Sequence, residues 1–385
     1  MNDNQIQKKA NVPTLRFPEF SGEWSHGKLS DYLAVHPERN NNSEFSKEEV
    51  LSVSGDSGVV NQIELLGRSF AGKDVSNYHV VRKGNIIYTK SPLKEFPYGI
   101  VKMNKGDDGI VSTLYAVYDV EPTSRGEFIE QYFAYAPRAN RYFKPIVRIG
   151  AKQDMKIGHD EVLDNVVVFP SISEQNKIAD FLNIIDERIS IQNKIIERYQ
   201  SLIRALYARM LGKMDGEKYA LGQLVTIRKG QQVNGEFLAE SGTYKVLNGG
   251  INPSGYLEEY NTPSGTISIS EGGNSCGYVQ FNSEPFWSGG HCYTLESNDE
   301  MVNYLFLYHY LKFKQADIMA LRIGSGLPNV QKKDLEKFEV IIPDTQYQNK
   351  ATSIFSILSE KIELEQYMLG VMNEQKAYLL RQLFI

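Results

Sequence analysis

Lysine and arginine gather at two matching places along the chain. Arg138, Arg141, Lys144, Arg148, Lys152 and Lys156 come close together with Tyr142 and Phe143 among them and Asp154 as the acid, and Lys312, Lys314, Arg322, Lys332, Lys333 and Lys337 recur later against Asp317, Asp334 and Glu336. For either cluster alone a solvated surface is the simpler account. Two clusters at equivalent positions of a repeated sequence point instead to phosphate, which recurs along a duplex and is met by repeated Lys and Arg. The phosphate candidates are Arg138, Arg141, Lys144, Arg148, Lys312, Lys314, Arg322 and Lys333.

Two loops carry side chains able to hydrogen-bond base edges. Glu271-Gly272-Gly273-Asn274-Ser275-Cys276-Gly277 lacks the lysine and following helix of a phosphate-cradling loop, so it reads as a tight connection between strands that can still present Asn274 and Ser275. The stretch from Gly324 to Lys332 offers Ser325, Asn329 and Lys332; a surface turn with Asn329 capping the next helical segment is the alternative. In the first half the base-reading candidates are Lys90, Lys94, Lys152, Gln153 and Lys156.

Signatures of catalysis are missing: no G-x-G-x-x-G after a strand, no Walker A sequence, no H-E-x-x-H, no G-x-S-x-G and no Asn/Asp-Pro-Pro-Tyr/Phe. Asp344 with Lys350 could be stretched into a nuclease motif, but Asp344 stands at a helix start, where capping accounts for it. The two cysteines, Cys276 and Cys292, even with His291, lack the paired spacing of a zinc site and read as buried thiols, so no metal is expected. A formal charge of -5 argues against indiscriminate coating of nucleic acid and confines any such binding to local patches. With neither a signal peptide nor an apolar run long enough to span a membrane, the expectation is a soluble cytoplasmic protein.

The elements that must hold these residues come in two sets. At 385 residues the chain has room for two domains with cores of their own. From Trp24 to Pro170, short apolar runs broken by Gly, Pro and Asn read as strands (Asn85 to Tyr88 after the Lys83-Gly84 turn, Thr113 to Val120, Val166 to Phe169), with a helix at Glu127 to Tyr135. That is a mixed α/β domain with antiparallel or irregular sheet. A second domain repeats the plan: the Gly84 turn matches Gly265 and the strand Thr266 to Ser270, Phe128 to Tyr135 matches Met301 to Tyr308, Arg148-Ile149-Gly150 matches Arg322-Ile323-Gly324, and Val166 to Pro170 matches Glu339 to Pro343. The expected layout is an arm at 1–21, loosely held, globular domains at 22–170 and 219–343, helices at 171–212 and 344–385, and a linker at 213–218.

Each domain is followed by a long helix, and the helices are the best-preserved part of the repeat. Both copies share Gln-Asn-Lys, at 175–177 and 348–350, and both place apolar residues at alternating steps of four and three. The first seam is Ile178, Leu182, Ile185, Ile189, Gln192, Ile196, Tyr199, Ile203, Leu206 and Met210; the second is Ala351, Phe355, Leu358, Ile362, Glu365, Leu369, Met372, Lys376, Leu379 and Leu383. This is a heptad pattern, and at ~1.5 Å per residue each helix reaches roughly 55 Å. An antiparallel pair would bring the polar slots Gln192 and Glu365 together near the middle, where they would fix register; exposure of both to water is the alternative.

In these features the chain resembles the specificity (S) subunits of type I restriction-modification enzymes over essentially its whole length. The opening Val12-Pro13-Thr14-Leu15-Arg16-Phe17-Pro18-Glu19-Phe20 with Gly22-Glu23-Trp24 looks like a common start of these subunits. Residues 166–211, with Glu-Gln-Asn-Lys-Ile-Ala, look like the first conserved spacer region; residues 339–384 look like the second, with Tyr347 in place of the glutamate and Ala351 in place of the isoleucine. The resemblance implies two target-recognition domains, each reading half of a split asymmetric DNA site, separated by an antiparallel coiled coil. It implies no catalysis by this chain, two methyltransferase subunits carrying S-adenosylmethionine, and restriction/translocase subunits using ATP and Mg. A DNA-modifying enzyme fragment with its own nuclease or methyltransferase activity, and a structural coiled-coil adaptor, are the competing readings.

Overall fold

The computed structural model describes residues 11–150, 155–298, 301–324 and 326–385. It divides into two compact units, Met1–Gln192 with Met368–Ile385 and Asn193–Tyr367, and the division passes through both long helices.

The first unit is built on an antiparallel four-stranded sheet in the order Leu33–Val35, Tyr115–Val120, Ile86–Thr89, Val101–Met103. The central strands carry Ile86, Tyr88, Ala116 and Tyr118 into a core shared with Phe128, Phe133 and Phe169. Each such buried large side chain contributes about 1.5–3 kcal/mol relative to exposure. Ser25–Lys28 pairs antiparallel with Val166–Phe169 and so leads the chain into the first long helix, Ile172–Met210. The expected helix appears as Gly126–Phe133, followed at once by a second, Ala136–Phe143, with Pro137 near its start where a missing N–H costs nothing.

In the second unit the strand order is the same: Val225–Lys229, Cys292–Ser297, Thr266–Ser270, Val279–Asn282, all antiparallel. Glu217–Ala220 pairs with Glu339–Ile342 as the lead into the second long helix, Thr345–Gln382. Gly84 and Gly265 both take positive φ (96° and 73°), a conformation that Gly adopts without penalty. Their N–H groups donate to Asn104 O and Asn282 O at 2.8 and 2.7 Å, so the matched glycines are the same turn. One correspondence read from sequence shifts. The burial pattern of Phe128, Ile129, Tyr132 and Phe133 recurs at Phe306, Leu307, Tyr310 and Leu311 in the helix Tyr304–Phe313, so the helix from Gly126 corresponds to one that starts beyond Met301.

Within each unit the helices pair antiparallel. In the first, the start of one helix meets the end of the other: Ile178 and Leu182 share a core with Leu379, Leu383 and Phe384, and Lys376 pairs with Asp186 at 2.5 Å. In the second the ends are reversed: Tyr207 packs on Phe355 at 4.7 Å, and Tyr347 donates to Met210 O at 2.7 Å. Every seam position named above is buried or half-buried. Gln192 and Glu365 are both buried, which removes the alternative that they face water; Glu365 also takes Lys361 at 2.9 Å.

The stretch from Asn11 to Trp24, expected as a loose arm, is pinned instead. Arg16 forms a two-pronged ion pair with Glu174 (2.7 Å each), Trp24 Nε1 donates to the same carboxylate at 3.3 Å, Phe17 packs edge-on to Phe181, and Leu15 N donates to Gln382 O at 3.0 Å. This explains the departure at Tyr347. The second unit is entered from the first long helix rather than from an arm, so the position of Glu174 faces a helix C-terminal carbonyl and needs a hydroxyl donor.

Candidate nucleic-acid interface

In the second unit the two loops singled out by chemistry come together. The strand Thr266–Ser270 runs into Glu271–Gly277, whose turn is made by Gly273 and Gly277 at φ of 78° and 87°. The loop after Arg322 is closed by paired backbone bonds between Ile323 and Asn329 (2.8 and 3.0 Å) and is tied to the first by Gly273 N to Pro328 O (3.0 Å) and Val330 N to Glu271 O (2.8 Å). Together with Lys229, Asn248 and His291 they wall a cleft of about 600 Å³. Asn274 stands exposed at its edge, Ser275 and Asn329 are half-buried in its wall, and Leu327 at the loop tip is 86% exposed. Asn329 does not cap a helix: its side chain accepts from Gln331 Nε2 at 2.7 Å, and Gln331 occupies the cap position of Lys332–Glu336. Lys332 is exposed, with Glu336 at 3.6 Å.

The floor of this cleft is an organised charge network that sequence reading missed. Glu271, its side chain 12% exposed, receives Lys229 Nζ at 2.6 Å and Tyr293 OH at 3.0 Å on one oxygen, with His291 Nδ1 3.4 Å from the other. Burial and the neighbouring carboxylate raise the Tyr293 pKa above the usual range, so the phenol stays a donor. The signal lay in strand register: Glu271 is the first residue past the central strand, where a side chain is aimed by the sheet.

In the first unit the same register puts Lys90 where Glu271 stands, since Ile86, Tyr88 and Thr89 pair across the sheet as Ile267, Ile269 and Ser270 do. Lys90 is half-buried, and burial followed by the charge of Arg39 pushes its ammonium below the ordinary range. Near it lies His79, 2% exposed, its ring tilted 40° against that of His159 with centroids 4.9 Å apart and with neither ring nitrogen hydrogen-bonded. Lys94 and Lys156 are exposed, Lys156 in a hairpin (Arg148–Ile149 with Met155–Lys156) that corresponds to the loop after Arg322. Lys152, Gln153 and Ser325 lie outside the described residues.

The basic clusters divide. Arg141, Lys144, Arg148, Arg322 and Lys333 are exposed and available to phosphate, whereas Lys314 is half-buried and paired with Asp317 at 3.0 Å. Arg138 and Lys312 are corrections. Arg138 is 4% exposed, donates to Tyr132 O (2.9 Å) and Leu380 O (2.6 Å), and lies over the rings of Tyr132, Tyr135 and Phe384. Lys312 donates to Val279 O (2.6 Å) and Gln315 Oε1 (2.9 Å) beside the Tyr278 ring, and burial pushes it down to about 8. Asp344 caps its helix, accepting from Tyr347 N at 2.8 Å.

Comparison with known proteins bears on the same segments. Residues 214–369 match the family described as "Type I restriction modification DNA specificity domain". The chain is similar to a putative type I specificity subunit of Mycoplasma pneumoniae, 34% identical over 148 residues (38% of this chain, 39% of the relative). It is also similar to one of Mycoplasma genitalium, 33% identical over 150 residues (38% of each). It thus spans about two fifths of the length of the curated relatives it matches. Its fold matches the crystal structure of the type I restriction-modification S subunit from M. genitalium with a TM-score of 0.67 at 18% identity, covering 97% of this chain and 99% of that one. A chain from a structural study of complex assembly and conformational transition of the type I R-M system matches with a TM-score of 0.51 at 13% identity, covering 94% and 97%. Residues 214–369 thus match a type I restriction modification DNA specificity domain, and the chain as a whole has the fold of the solved S subunit.

Proposed function

We propose that this chain is the DNA sequence-recognition subunit of a type I restriction-modification complex, reading a bipartite, asymmetric double-stranded site and holding methyltransferase and restriction subunits on it. The observation that carries the reading is the repeat itself: two units of one strand order, each with a loop wall at the same end of its central strand, furnished with different side chains. One scaffold used twice with different reading surfaces suits two unlike half-sites. Exposed Arg141, Lys144 and Arg148 in one unit and Arg322 and Lys333 in the other would give register through phosphates, and the loop residues would give sequence.

The long helices act in this reading as a spacer and as a landing surface. Beside the buried seam, Ile184, Ile191, Val371 and Tyr378 in the first unit and Leu202, Ile357, Leu364 and Tyr367 in the second remain exposed, an apolar allotment suited to protein partners. Two methyltransferase subunits and the restriction subunits are the partners proposed, and S-adenosylmethionine, ATP and Mg belong to them. The setting is the cytoplasm; among the described residues no helix is long and apolar enough to cross a membrane.

The test is to purify the tagged chain from its native cells and map methylation in that cell's genome. A co-purifying adenine methyltransferase and a split, asymmetric methylated motif are expected. Methyl transfer or cleavage by the chain alone, given DNA, magnesium and labelled methyl donor, would favour the enzyme-fragment reading. Protein partners without any DNA binding would favour the adaptor.

A further inference from the structure

Equivalent strand ends carry opposite charge in the two units, and only one of them is neutralised. Glu271 is paired with Lys229, and the same oxygen accepts from Tyr293. Lys90, in the same register, has no carboxylate within salt-bridge distance among the described residues. Its surroundings add positive charge and unused polar atoms: Arg39, whose backbone bridges to His79, and both ring nitrogens of His79, tilted against His159; the carboxylate of Glu161 acts on Lys90 only from beyond salt-bridge distance. Burial pushes His79 down to about 3, so it is neutral and supplies no counter-charge. A half-buried ammonium without a partner is costly and is tolerated where a ligand completes it.

The ligand must be an acceptor, and its position selects which. Lys90 follows the central strand directly, and Tyr88, two residues earlier, touches Met155 at the base of the hairpin that corresponds to the second unit's reading loop (OH to Sδ 3.9 Å). It therefore sits at the floor of the reading surface, where a base edge is presented, while the exposed Arg39 is placed for the backbone. Among the four bases only guanine shows two adjacent acceptors, O6 and N7, in the major groove; adenine and cytosine put an amino donor there, and thymine sets a methyl beside its one acceptor. We propose that Lys90 reads a guanine through O6 and N7 in the half-site bound by the first unit. This rests on the DNA-reading role proposed above and adds to it a residue and a base.

Selection from a randomised duplex library, using the full chain with its co-purifying subunits, tests it. The wild type should fix a guanine at one position of one half-site. Lys90→Ala should relax that position by roughly ten- to a hundredfold and leave the other half-site's preferences intact in the same molecules, which reports a folded protein. Lys90→Arg should restore guanine. At that position 7-deazaguanine, which lacks N7, should weaken the wild type and not Lys90→Ala, whereas inosine, which keeps both acceptors, should be tolerated. The inference is overturned if Lys90→Ala leaves the motif unchanged. It is equally overturned if binding weakens for all sequences alike while the salt slope falls by about one, the mark of a phosphate contact. A wild type that selects no motif at all overturns the recognition role itself.

Discussion

Gln175 and Gln348 show what the repeated Gln-Asn-Lys is for. Gln175 accepts from Arg125 N and Ser124 Oγ (3.2 Å each) and donates to Pro170 O and Thr123 O (3.1 and 3.3 Å); Gln348 accepts from Asn303 N at 2.8 Å and donates to Pro343 O and Met301 O at 2.9 and 3.2 Å. Each buried amide thus ties the start of a long helix to the start of the helix after the sheet. Gln175→Ala should cost about 1–3 kcal/mol, because it strands buried backbone groups, as read by denaturant unfolding. Arg138→Ala should likewise lower the unfolding midpoint and leave the salt slope of DNA binding unchanged, since its partners are carbonyls and rings of its own unit. Sequence could show the glutamine repeat and the charge of Arg138. It could not show their use, because backbone carbonyls are acceptors at every residue and only the fold chooses among them.

Protonation acts at this scale too. Burial pushes His309, which meets Tyr207 OH at 2.9 Å, down to about 4, and an unfolded histidine titrates near ~6.5. Below ~6.5 the unfolded chain takes a proton that the folded one refuses, so stability is fully present above that pH and is lost as pH falls toward 4. The loss amounts to at most about 1.4 kcal/mol per pH unit for this group. In His309→Phe the slope of stability against pH over that window should be smaller by up to one proton's worth.

At the scale of elements, the long helices were legible almost residue by residue, since a seam in steps of three and four has few other solutions and the repeat supplied it twice. The Gly84 and Gly265 turns were legible for a similar reason, positive φ being a narrow demand. The helix equivalence slipped because the connection before it differs in length between the units, and aligned aromatics at helical spacing fit more than one register. The arm was misread because its anchors, Glu174 and Gln382, are remote in sequence. Phe355, fully buried between Tyr207 and His309, is the test of the seam's packing. Phe355→Ala should destabilise the second unit by about 3–5 kcal/mol, measured by hydrogen exchange of its amides.

For the whole molecule, the proposed recognition role makes the spacing of the half-sites a matter of the two long helices, of 39 and 38 residues. One heptad inserted at facing positions in both helices adds ~10 Å, and the tolerated gap between half-sites should grow by about three base pairs in a methylation map. The same insertion in one helix alone breaks the seam and should abolish the motif. Two domains and two long helices were readable from the repeat; base preferences are not, because they depend on where loops aim.

The first unit closes with residues 379–384, and this orders events in time. Leu379, Leu380, Leu383 and Phe384 complete the core that Trp24 and Phe128 begin, while the second unit is one unbroken segment, Asn193–Tyr367. During synthesis the half made first must therefore wait, its apolar interior uncovered, until residues 379–384 have emerged, and the half made second, complete at Tyr367, emerges before them. Such long-range closure slows folding and leaves exposed surface to be shielded in the interval. Released chains truncated after Tyr367 should be protease-resistant in the second unit and cut in the first.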